Sequence, residues 1–226
     1  MAASPVRQAL VVCRKDLLAE FRERTSINAV LLFAVTSVVV VGFGLTGLSL
    51  RADAAVPLLW IVLFFAAFSG LAHVFTEEED AATSEALRMA ASPEAVFWGK
   101  LLYNLGLLAV TAGIVVPLFL GAVDLSVPQP LRFAAVVGAG TAALASAATV
   151  VGAIVARARA RGALFGALGF PVVLPLIMIA VVATRRAVGQ DPTEWIWLRD
   201  VGGLIAYAAA MLAASVLVFP VIWESQ

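Results

Sequence analysis

The 226 residues are 62% apolar and 13% charged, with a formal net charge of zero and a mean hydropathy of +1.02. Soluble domains carry about 25% charged residues, so a water-soluble fold of this length is excluded. Equal numbers of acidic and basic side chains leave no basic field for nucleic acid.

In chain order, residues 1–26 carry apolar Val6, Leu10, Cys13, Leu17 and Phe21 at helical spacing, with Arg7, Arg14, Lys15, Arg22 and Glu23 clustered beside that stripe. Such a pattern predicts a helix lying in the membrane interface before the first span. Residues 27–226 then contain six stretches without Asp, Glu, Lys or Arg: Ile27 to Leu50, Ala54 to Phe75, Leu101 to Val123, Phe133 to Ala156, Gly162 to Thr184 and Val201 to Trp223. A bilayer crossing needs about 20 apolar residues, and each stretch has that length. The first is too long for a signal-peptide core of about 7–15 residues and reads as an uncleaved span. The expected fold class is all-α: a six-span transmembrane bundle preceded by an interfacial N-terminal helix.

Between the first two stretches only Arg51, Ala52 and Asp53 remain, which predicts a tight external hairpin. The next connection, Thr76 to Lys100, is the longest on the other side. It begins with Glu77, Glu78, Glu79 and Asp80, continues through Glu85 and Leu87, and reaches Ser92-Pro93 before Gly99-Lys100. Good helix formers flank a Pro that ends one segment and a Ser that can cap the next, so two short helices joined at Ser92 and Pro93 are expected. Arg185 to Asp200 forms the longest external connection; Trp195 and Trp197 beside charges predict a short piece at headgroup level. Pro171 and Pro175 mark a bend in the fifth span. No span holds an ionisable carboxylate, Lys or Arg, which disfavours a proton-coupled transporter.

Lys and Arg set the orientation. Ten of them lie on the side of the N-terminus (Arg7, Arg14, Lys15, Arg22, Arg24, Arg88, Lys100, Arg157, Arg159 and Arg161), against five on the other side. The positive-inside rule puts both termini in the cytoplasm.

No catalytic constellation can be assembled from one His, one Cys and no G-x-S-x-G or H-E-x-x-H. Gly99-Lys100 lacks the upstream Gly of a phosphate-cradling loop, so ATP is not hydrolysed here by that route. His73, at the cytoplasmic end of span two, reads as a headgroup or loop contact. What remains is the plan of a permease driven by a separate ATPase.

Several segments resemble the haem exporter protein B (CcmB) family: Lys15-Asp16-Leu17-x-x-Glu20-x-Arg22, Leu59-Trp60-Ile61, Phe75-x-x-Glu78 leading into Glu85-x-Leu87, Ser92-Pro93 followed by Gly99-Lys100-Leu101-x-x-Asn104, and Phe170-Pro171-Val172-Val173-Leu174-Pro175-Leu176. Ala82 and Ser84 stand where that family usually has Gly and Leu just before the Glu. The resemblance implies a type-2 ABC exporter fold in the bacterial inner membrane, present as two copies and surrounded by lipid. It further implies an ATPase subunit (CcmA-like), a haem-handling membrane protein (CcmC-like), a small single-span subunit (CcmD-like) and a haem chaperone (CcmE-like), with ATP use linked to release of the haem-loaded chaperone. On this reading the Glu77 to Lys100 connection couples to the ATPase, and the chain is not itself an enzyme. An exporter of another hydrophobic substrate and a non-translocating scaffold are the alternatives. Haem would be handled or passed on, and no cofactor is expected to reside here: of His73, Cys13, Met89, Met178, Met211, Tyr103 and Tyr207, none has in sequence the second group that fixes an axial ligand.

Overall fold

The computed structural model describes residues 4–23, 25–44, 52–71, 87, 89–155, 161–189 and 196–224. They form seven helices: α1 Pro5–Glu23, α2 Thr25–Gly44, α3 Ala52–Leu71, α4 Pro93–Val123, α5 Pro130–Val155, α6 Arg161–Val188 and α7 Ile196–Glu224.

The helices extend past the stretches that lack charge, because a charged side chain marks the edge of the hydrocarbon without breaking the backbone ladder. Of the two short helices expected around Ser92, the second is corrected at α4, while the first falls mostly outside the described residues. Just before Ser92 the Ala91 amide donates to the Leu87 carbonyl at 3.0 Å, a helical contact. From Pro93 the backbone then runs unbroken for 31 residues, absorbing the second short helix into the membrane helix. Ser92 is its N-cap, accepting from the Ala95 amide through its hydroxyl, and Pro93 stands in the first turn, where its missing N–H costs nothing. At the far end Asp124 adopts the left-handed conformation (φ 52°) and its amide donates to the Leu120 carbonyl. Likewise Ile196, Trp197 and Leu198 are the opening turn of α7 rather than a separate piece; Trp195 lies outside the described residues.

Contacts between named residues establish an up-down order. Gly42 meets Ala122, and the Ile27 amide and Tyr103 hydroxyl share Glu20, so α2 and α4 run parallel. Asn104, early in α4, bonds to Thr149, late in α5, which makes those two antiparallel. Trp60, early in α3, touches both Gly140 of α5 and Thr184 near the end of α6. Arg186 of α6 pairs with Asp200 of α7 across their adjoining ends. From α3 to α7 each helix therefore reverses its predecessor.

Five of these helices are long and apolar enough to cross a membrane: α2 over Ile27–Gly44, α4, α5, α6 over Ala167–Val188 and α7 over Ile196–Leu217. The apolar part of α3 is shorter, Asp53–Ser69. Yet α3 is largely enclosed. Leu59, Trp60, Leu63, Ala66 and Ala67 have no exposed surface, and they anchor a core shared with α2, α4, α5 and α6. Small residues make the closeness possible: a Cβ on Gly140 would stand 2.2 Å from the Trp60 ring, and one on Gly169 would stand 2.5 Å from Phe68. α6 is one helix with Pro171 and Pro175 inside it, and beside them the Tyr207 hydroxyl of α7 donates to the Val172 carbonyl.

Candidate functional site

α1 lies along the first half of α4, and the two join through residues drawn from separate motifs. On α1 the positions facing α4 recur every three or four residues: Gln8, Ala9, Val12, Asp16 and Glu20. Ala9 and Val12 are buried, and they press on Gly99 so tightly that a Cβ there would lie 2.7 Å from Val12 Cβ and 2.8 Å from the Ala9 carbonyl oxygen. Gly99 is thus needed for the approach of two backbones.

Polar contacts follow along the same seam. At its start the Ser92 amide donates to Gln8 Oε1 at 3.3 Å. Lys100, next to Gly99, has 0% of its side chain exposed, and its Nζ is 3.8 Å from Asp16 Oδ2; Asp16 also pairs with Lys15 at 3.0 Å. One turn further, Glu20 accepts from Tyr103 Oη at 3.3 Å with one oxygen and from the Ile27 amide at 2.7 Å with the other. The second contact places a carboxylate at the start of α2, where the free N–H groups and the helix dipole favour it. Glu20 therefore ties three helices together. Burial and the negative charge of Asp16 push the Cys13 thiol above its usual pKa.

Deeper in the bundle, Asn104 Nδ2 donates to Thr149 Oγ1 at 2.9 Å, both residues being fully buried. Trp60 Nε1 donates to Thr184 Oγ1 at 3.0 Å. These bonds join α4 to α5 and α3 to α6 where a polar group has no water to turn to.

Of the predicted coupling residues, Glu77, Glu78, Glu79, Asp80 and Glu85 lie outside the described residues, as does His73. Leu87 packs, half-buried, on the small cluster of Val96, Phe97, Leu101, Ala153 and Phe219, which fastens the end of the connection to α4, α5 and α7. Ser92, Gly99 and Lys100 fall on the α1–α4 seam, and Pro93 opens α4 beside Ser92. The roles of Asp16 and Glu20 were not foreseen, although their spacing from Ala9 and Val12 was available as a signal. The apolar stripe of Val6, Leu10, Leu17 and Phe21 does not enter the seam and is exposed on the other side of α1. Among the described residues no group of three or more His, Cys, Asp or Glu is placed to hold a metal ion. The seam binds helices to one another, and its groups are suited to transmitting displacement.

Residues 7–222 match the family model described as CcmB protein. The chain belongs to the CcmB family. No curated protein matches it in sequence. CcmB is the permease component of the haem-exporter ABC system of cytochrome c maturation, a subunit and not an enzyme itself, working with an ATPase partner and other Ccm subunits. The match and the apolar helices together make this a multi-pass membrane protein of cytochrome c biogenesis. Both halves of the seam, Lys15 to Arg22 and Ser92 to Asn104, lie within the matched region.

Proposed function

We propose that this CcmB chain is a six-span permease subunit that converts the nucleotide-driven motion of a CcmA-like ATPase into movement of its membrane helices, using α4 as the lever and α1 as its brace. The observation that carries this reading is the unbroken α4, capped at Ser92 where the connection ends and clamped by Asp16 and Glu20 two to three turns later. A displacement delivered to the start of α4 reaches the membrane core along one unbroken helix. It is handed to α5 at Asn104 and Thr149.

Six spans are supported by the alternation of α2 to α7 and by the enclosed position of α3, whose neighbours on both sides run the opposite way. Both termini and the Glu77 to Lys100 connection face the cytoplasm on this reading, in line with the excess of Lys and Arg there. The exposed stripe of α1 then meets the lipid interface while its other face grips α4. Two copies form the working unit, a CcmC-like and a CcmD-like subunit stand beside it, and ATP turnover is spent on releasing the haem-loaded CcmE-like chaperone. Haem is handled by those partners, and this chain holds none.

Charge reversal at Glu78 and Glu85 tests the coupling. Complex recovery with the ATPase, or cytochrome c maturation, should fall, whereas reversal at Glu224 should leave both unchanged. If the paired reversal left recovery and maturation intact, the ATPase would dock elsewhere and the lever reading would fail.

A further inference from the structure

The end of the bundle away from α1 carries a second charged cluster, contributed by three connections. Arg185 pairs with Asp53 at 3.8 Å, and Arg186 Nη1 meets Asp200 Oδ1 at 2.7 Å. Arg132 has its guanidinium 6.0 Å from the centre of the Trp197 ring. Gln129, Arg132, Arg186, Ile196, Trp197 and Asp200 line a cleft of about 20 Å³.

Two features of that cleft are unmatched. Asp200 is 9% exposed, and while its Oδ1 is used by Arg186, its Oδ2 is buried with no hydrogen-bond donor. A buried carboxylate oxygen without a donor is costly, so the site requires an N–H or O–H group there. Arg132 supplies the opposite need, a positive charge that no carboxylate among the described residues neutralises. A ligand that satisfies both carries a small cationic donor and an anion a few atoms apart.

We propose that the cleft binds the phosphoethanolamine headgroup of a membrane lipid, with its ammonium donating to Asp200 Oδ2 and its phosphate accepting from Arg132 and Gln129. The space is that of roughly one water-sized group, which admits a primary ammonium and excludes the trimethylammonium of choline. The lipid source follows from position. Trp197 lies in the first turn of α7, whose apolar stretch Ile196–Leu217 begins beside it, and indole rings settle at headgroup level. The inference needs α7 to cross the membrane, and it is independent of ATPase coupling.

The test uses the full chain purified in detergent and incubated with phospholipids of identical acyl chains: phosphatidylethanolamine, its N-monomethyl and N,N-dimethyl forms, phosphatidylcholine and phosphatidylglycerol. Bound lipid is counted by native mass spectrometry. Retention should fall stepwise with methylation, phosphatidylethanolamine exceeding phosphatidylcholine about tenfold, as expected for loss of a charge-assisted hydrogen bond. Asp200→Asn should abolish that preference, and Arg132→Gln should weaken phosphatidylethanolamine retention. Insensitivity to methylation in the unaltered chain would mean the cleft holds only water and would overturn the proposal, whether or not the variants fold. Equal retention of phosphatidylglycerol would reduce the site to an anion contact, and a preference that survives Asp200→Asn would place the ammonium elsewhere; either result defeats the assignment. Cytochrome c maturation is not the readout, so the outcome does not depend on the lever reading.

Discussion

Lys100, with no exposed side-chain surface, has its Nζ 3.8 Å from Asp16 Oδ2 on a different helix, beside the glycine at which those helices come closest. Buried charges are tolerated when paired, and breaking a buried pair costs up to about 3–5 kcal/mol, less where a second partner remains, as Lys15 does for Asp16. Asp16→Asn and Lys100→Met should therefore each lower thermal stability in detergent by a margin of that order. The double substitution should be milder than the sum, since the two changes remove the same interaction. If the double variant is as stable as the unaltered chain but fails in cytochrome c maturation, the pair serves motion rather than stability. Strict additivity in melting temperature would show that Asp16 and Lys100 do not sense each other.

The two glycines of the first half of α4 should respond in opposite directions. A Cβ on Gly99 meets the Ala9 backbone and Val12, whereas one on Gly106 meets nothing within 4 Å. Gly99→Ala should destabilise the chain by about 1–3 kcal/mol through overpacking and loosen α1. Gly106→Ala should be neutral or stabilising by up to about 1 kcal/mol, since alanine is the better helix former. Melting curves together with proteolysis of α1 would separate the two; equal behaviour at both positions would argue against close α1–α4 packing.

Cys13 offers a probe of orientation and of local charge. Its thiol is half-buried and its pKa is raised, first by burial and then by Asp16. Less thiolate is present at neutral pH than for an ordinary cysteine, so alkylation should be slow at pH 7 and should accelerate only above the usual thiol range. Asp16→Asn removes the electrostatic contribution and should speed labelling at a given pH. An impermeant maleimide should reach Cys13 in inverted vesicles and not in intact cells; labelling from outside intact cells would reverse the assigned topology.

Haem absorbance decides whether the chain is itself a haem-binding component. Tyr103 is committed to Glu20 and Tyr207 to the Val172 carbonyl, while Met178 and Met89 are exposed. Axial ligation needs a residue held towards the iron by a second group. The purified chain should show no stoichiometric haem spectrum, and His73→Ala should leave haem loading of the chaperone intact. A one-to-one spectrum in the isolated chain, lost on that substitution, would make His73 a ligand.

The membrane character of this protein was legible from residue order, because a bilayer imposes its condition on each segment separately: about 20 apolar residues with the backbone satisfied within the helix. The Ser92 cap was legible for the same reason, being set by neighbours three residues apart. Two features of α4 and α7 were not. The helices pass through Lys100 and through Ile196 to Asp200, where charge and tryptophan suggested boundaries, because a partner elsewhere makes the charge tolerable: Asp16 for Lys100, Arg186 for Asp200. The face of α1 that grips α4 was hidden as well. Its most apolar stripe points away, and the seam is made by Ala9, Val12, Asp16 and Glu20, whose partners become visible only when Glu20 meets Tyr103 across 83 residues of chain. Hydrophobicity is a property of a segment, whereas the pairing of buried polar groups is a property of two, and only the tertiary structure brings the second one to its place.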